Sequence, residues 1–136
     1  MVLSAHRDFP GDSRSPAAAR AFVLDRLRDA LPEHSGVDSS DVVLAASELV
    51  TNSVRAGAVA VTVVVRVDGA GVELQVEDDA DGWPVARDVD WSVQSGRGLA
   101  IVDAVADSWD TVRVSGGGKR VVARWAHRSR ATCGSA

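Results

Sequence analysis

Hydrophobic spacing divides the chain into a helical first part and a strand-rich second part. The opening fifteen residues are mixed and polar, and Pro10-Gly11-Asp12-Ser13 reads as a turn. Ser15-Pro16 predicts a helix start, with serine as the cap and proline at the first helical position. Ala18, Ala21, Phe22, Leu24, Leu27 and Leu31 then carry helical spacing as far as Pro32. A second helix opens at Gly36 and Asp38, with Asp38 as its cap. Its buried stripe is predicted to be Val42, Ala45, Ala46, Leu49, Val50 and Ser53, and Gly57 is its natural stop. Glu48 and Asn52 lie one turn apart beside that stripe, positioned to edge a cleft between helix and sheet.

From Val59 the period changes. Val59–Asp68 and Val72–Asp78 are β-branched runs, joined by the hairpin signal Gly69-Ala70-Gly71. Residues 79–97 are polar and punctuated by Gly82 and Pro84, which predicts a long loop carrying Trp83 and Trp91, of a length that is usually functional or mobile. Helical spacing returns over Leu99–Ala106. Asp110–Ser115 and Arg120–Ala126 read as strands joined through Gly116-Gly117-Gly118-Lys119, with Trp109 and Trp125 assigned to strands and core. The sum is an α+β fold: a two-layer α/β sandwich with helices on one face of a mostly antiparallel sheet.

Composition narrows the function classes. A chain of 136 residues is long enough for one core, expected over residues 1–127, with 128–136 as a disordered tail. A net charge of −4 argues against direct nucleic-acid binding, which favours a clustered basic patch. No apolar run approaches membrane-spanning length and no secretion signal opens the chain, so a cytoplasmic location is expected. Cys133 is the lone cysteine, so no disulfide framework exists. His6, His34 and His127 have no carboxylate or cysteine at ligand spacing.

Three short signals carry chemistry. Glu48 and Asn52, the only asparagine, put a carboxylate and an amide carbonyl into one space. Mg²⁺ takes one or two such protein oxygens and fills its octahedron with water and phosphate. Asp78 closes a strand before Asp79-Ala80-Asp81-Gly82, where an ionised carboxylate accepts from an exocyclic amine such as adenine N6. Gly96-Arg97-Gly98-Leu99 opens a helix, where free N–H groups and an arginine suit phosphate. Singly, each has an ordinary explanation: a polar helix face, a solvated acidic loop, a glycine-rich turn into a core helix. Together they stand in the order needed to grip a metal and phosphates, then adenine, then the phosphates' far side.

In that order they resemble the N-box and the two glycine boxes of the histidine-kinase-like (Bergerat, or GHKL-type) ATPase superfamily. The short length and Gly-Arg-Gly-Leu-Ala-Ile-Val-Asp resemble its bacterial anti-sigma-factor serine/threonine kinase branch, over roughly residues 9–126. The resemblance implies a Bergerat-type fold that binds ATP and Mg²⁺ beneath a lid at about 79–97. Asn52 would then be the Mg²⁺ ligand, and Asp78 and Gly82 would meet the adenine. Gly96, Arg97, Gly98 and Leu99 would form the phosphate-side helix start, Arg55 would face the triphosphate, and Glu48 would be the catalytic base. It further implies a sigma factor, an antagonist of the anti-sigma factor, or both as protein partners, and leaves a homodimer open because family members often pair.

Three departures from the family pattern bear on affinity. Ala80 replaces the middle glycine of the first box, Ala56-Gly57 replaces His-Gly after the N-box arginine, and Arg120 stands where a threonine helps hold adenine. Two functions follow as expectations: a partner-switching serine/threonine kinase in transcription control, or a nucleotide-gated binding module with little or no transfer. A purely structural domain leaves the ordered trio unexplained.

Overall fold

Val61, Val63, Val65 and Val67 occupy every second position of one strand, and all four are buried. Their strand is second in a five-stranded sheet. The computed structural model describes residues 2–80 and 94–128, with backbone alone at 94–98. In chain order the elements are β1 (Leu3–Pro10), α1 (Ser15–Ala30), α2 (Ser39–Arg55), β2 (Ala60–Val67), β3 (Gly71–Asp78), α3 (Gln94–Val105), β4 (Ser108–Arg113) and β5 (Lys119–Ala126). The strands pair antiparallel in the order β1-β2-β3-β5-β4. The two-layer α+β sandwich expected from the sequence is the fold observed.

Register aligns the inner face into rows. Val67, Val72 and Trp125 form one, Val65, Leu74 and Ala123 the next, and Val63, Val76 and Val121 a third. The fourth row runs Val61, Asp78, Lys119, so the apolar face ends in a carboxylate and an ammonium. Leu27, Val42, Ala46 and Val50 from the helices close over the sheet. The opposite face is polar, with Glu73 held by Arg66 and Arg124 at 3.2 Å each and Glu77 by Arg120 at 2.9 Å. Such exposed pairs contribute little to stability. Among the described residues no helix is long and apolar enough to cross a membrane.

α2 buries Val42, Ala45, Ala46, Leu49, Val50 and Ser53, the stripe that its spacing predicts. α1 differs: its buried line is Ser15, Ala19, Val23 and Leu27, while Ala18 and Ala21 are exposed. Alanines fill neighbouring positions of its first two turns, so spacing alone leaves its phase undetermined. Ser15 is the first helical residue and not the cap. Arg14 holds the cap position, and the Ser15 hydroxyl donates to the Pro10 carbonyl at 2.5 Å.

The amino terminus departs most. Residues 3–10 form the edge strand β1, where only Phe9 is buried and the inward-facing Arg7 lies over the Phe9 ring at 5.4 Å. An edge strand with one neighbour needs little apolar alternation, which is why its sequence reads as irregular. Residues 129–136 of the expected tail lie outside the described residues. Arg128 is described, and its N–H donates to the Ser35 carbonyl at 2.6 Å.

Candidate functional site

α2 carries the first half of the site. Asp38 starts it by accepting from the Ser40 hydroxyl at 2.6 Å and the Ser40 N–H at 2.9 Å. Those bonds, the hydroxyl's first and the backbone's second, hold its carboxyl below the usual range. Beyond the far end Gly57 takes φ +89°, a conformation that stops a helix readily with glycine. Between these ends, Glu48 is half-buried and makes no hydrogen bond or ion pair among the described residues. Asn52, one turn on, is half-buried with its Oδ1 atom fully enclosed and, among the described residues, without a hydrogen-bond partner. Buried carbonyl oxygens are rarely left so. Arg55 is exposed at the last turn.

The second half sits at the end of the sheet. Asp78 accepts from the Ser53 hydroxyl at 2.5 Å and from Lys119 Nζ at 2.8 Å, both at Oδ2. Its Oδ1 accepts from the Ala80 N–H at 3.0 Å. Ser53 thus ties the carboxylate of β3 to α2 one residue from Asn52. Asp79 braces the same corner by accepting from the Val59 N–H at 2.8 Å. Ala80 packs into the core without positive φ, so the turn at this point needs no glycine. Gly118 does need to be one: its φ is +90°, and a Cβ would lie 2.0 Å from the Asp78 carbonyl oxygen.

Lys119 and Ser53 complete the cluster, and the motifs do not reveal their part in it. Lys119 shares strand phase with Val121, Ala123 and Trp125, so alternation along β5 is the signal that places it inward. Arg120, in the opposite phase, points to the outer face and bonds Glu77 at 2.9 Å. The inward position beside Asp78 therefore belongs to Lys119, not to Arg120.

α3 begins at Gln94, earlier than its spacing predicts. The N–H of Gly96 therefore falls in its first turn, where intrahelical acceptors are lacking, whereas that of Arg97 is the first with a carbonyl one turn back to donate to. α3 packs against α2. Leu99 is buried in the core, so its side chain serves packing. Gly82, Trp83 and Trp91 lie outside the described residues, as does most of the expected lid.

Among the described residues, three helices over one face of an antiparallel sheet, with an amide-bearing helix joined to a strand-end carboxylate, define a Bergerat-type sandwich. The chain belongs to the histidine kinase-like ATPase domain family, whose model matches residues 9–125. Among solved structures it is similar to the RsbU and RsbW domains of Rv1364c from Mycobacterium tuberculosis. That likeness has 22% identity and a TM-score of 0.64, covering 92% of this chain and 32% of the other. The chain therefore spans about a third of the length of that structure. A second likeness, to the cytoplasmic segment of the histidine kinase QseC, has 16% identity and a TM-score of 0.44, covering 90% and 79%. No curated protein matches the sequence.

Proposed function

We propose that this chain binds Mg-ATP against α2, the end of β3 and the first turn of α3, and works as a partner-switching serine/threonine kinase in transcription control. The observation that carries the nucleotide site is the enclosed Asn52 Oδ1, unpartnered among the described residues and one residue from the Ser53–Asp78 link. A neutral carbonyl oxygen fits Mg²⁺, which needs few protein ligands when phosphates supply the rest. Bound Mg²⁺ would offset charge on the phosphoryl oxygens.

The chain's own groups take the remaining roles. Asp78 meets the base, and the free N–H groups of the first turn of α3, that of Gly96 among them, meet phosphate. Glu48, half-buried and unbonded among the described residues, accepts the proton of an incoming serine hydroxyl as that oxygen attacks the terminal phosphorus. The partner class, a sigma factor or its antagonist, is supported by family membership and by the likeness to a structure whose described content includes an RsbW domain.

Incubating the chain with labelled Mg-ATP and its antagonist tests this. Phosphoserine should form, and Glu48→Ala should cut transfer by about 100-fold or more while nucleotide binding persists. Undiminished transfer in that variant would remove Glu48 from the role of base.

A second reading is favoured by one observation. Asp78 is already engaged by Ser53, Lys119 and Ala80, which suits a nucleotide-gated binding module with little turnover. Partner binding that responds to ATP without any phosphoserine would select it.

A further inference from the structure

Asp78 and Lys119 occupy the inner-face row where apolar side chains would complete the sheet, and both are more than nine-tenths buried. Backbone geometry fixes the lysine there. Gly118 lies against the Asp78 carbonyl, Lys119 pairs with Asp78 across the strands, and alternation sends its side chain inward. It is also the only lysine in the chain.

Hydrogen-bond capacity at this pair is uneven. A carboxylate offers about four acceptor positions. Ser53 and Lys119 take those of Oδ2, and the Ala80 N–H takes one at Oδ1. Lys119 Nζ carries three donors, of the kind that seek partners when buried, and among the described residues it spends one, on Asp78. The pair therefore presents an acceptor and unspent donors side by side.

That arrangement changes what a purine edge meets. Adenine offers an N6–H donor beside the N1 acceptor, whereas a 6-oxopurine offers the O6 acceptor beside an N1–H donor. A carboxylate alone accepts from N6–H and opposes the lone pairs of O6, so it rejects the oxo form. With Lys119 adjacent, either edge is satisfied once the base slides along the pair and the flexible ammonium swings to its other side: N6–H to Asp78 with N1 accepting from Lys119, or N1–H to Asp78 with O6 accepting from Lys119. We propose that Lys119 is a specificity-determining residue of the base pocket, making it accept 6-amino- and 6-oxopurine triphosphates alike. The inference rests on the reading of Asp78 as the residue that meets the base.

Inosine triphosphate is the probe, since it differs from ATP only at this edge. Calorimetric titration of the full chain should give affinities for Mg-ATP and Mg-inosine triphosphate within about threefold of each other. Lys119→Thr and Lys119→Met should restore a preference for ATP of roughly 100-fold. A wild-type preference for ATP of about tenfold or more, or an unchanged ratio in the variants, overturns the inference and leaves the nucleotide site standing. Binding of neither nucleotide by the wild-type chain overturns both. If circular dichroism shows the variants unfolded, the wild-type ratio decides alone.

Discussion

Asp78 ties three parts of the chain together at the place where recognition of the base is proposed. Its carboxylate is enclosed and satisfied by three donors from three parts of the chain. Neutralising it by Asp78→Asn strands the Lys119 ammonium in the core, and breaking a buried pair from one side costs about 3–5 kcal/mol. Urea denaturation should show that loss, and the double variant with Lys119→Met should recover part of it because the orphaned charge is gone. A double variant no more stable than Asp78→Asn would mean that the pair is not the source of the cost. Asn52 and Asp78 were legible as candidates in the sequence because their residue types and order are uncommon together. The partners of Asp78 were not legible, because they depend on the β3–β5 register, which no local pattern encodes.

At the scale of elements, α2 organises the site: its cap sets where it begins, and Ser53 sets where it meets the sheet. Replacing Ser53 by alanine removes a bond to a carboxylate and should cost about 1.5–3 kcal/mol. Nucleotide affinity should fall as well, since Asp78 then loses its anchor to α2. An affinity unchanged in that variant would detach Ser53 from the site. The cap gives a pH signature. Asp38 is ionised more easily in the folded chain, so its contribution is fully present above the ordinary carboxylate value of 3.8 and is lost as pH falls through its lowered value. Asp38→Ala should therefore be about 1 kcal/mol less stable at neutral pH, with the gap closing in acid, while Asp38→Asn keeps the cap and flattens that dependence. Elements were legible in proportion to how one-sided their burial is. α2 and β2 each show a single apolar face and were read correctly. In α1, with alanine on several faces, spacing places Phe22, Leu27 and Leu31 correctly but misplaces Ala18 and Ala21, and β1, supported on one side by β2, leaves no pattern to read.

For the whole molecule, a ligand that binds only the folded state raises its stability in proportion to the logarithm of its concentration. Mg-ATP at about 100 times its dissociation constant should add about 2.7 kcal/mol and raise Tm by about 10 °C. Chelating the metal or introducing Asn52→Ala should remove most of that shift. A shift that survives both would take Asn52 out of the metal site. The sheet order has a different consequence, in the time dimension. β1 pairs with β2 across both helices, Leu3 opposite Val67, and β3 pairs with β5 across α3 and β4, Val72 opposite Trp125. Closing such long loops before their contacts form is entropically slow. β1, which is made before the other strands of the sheet, therefore waits through the synthesis of two helices for its neighbour. The Asp78–Lys119 pair cannot form until β5 has emerged, so the corner of the sheet that holds it is among the last parts of this fold to exist.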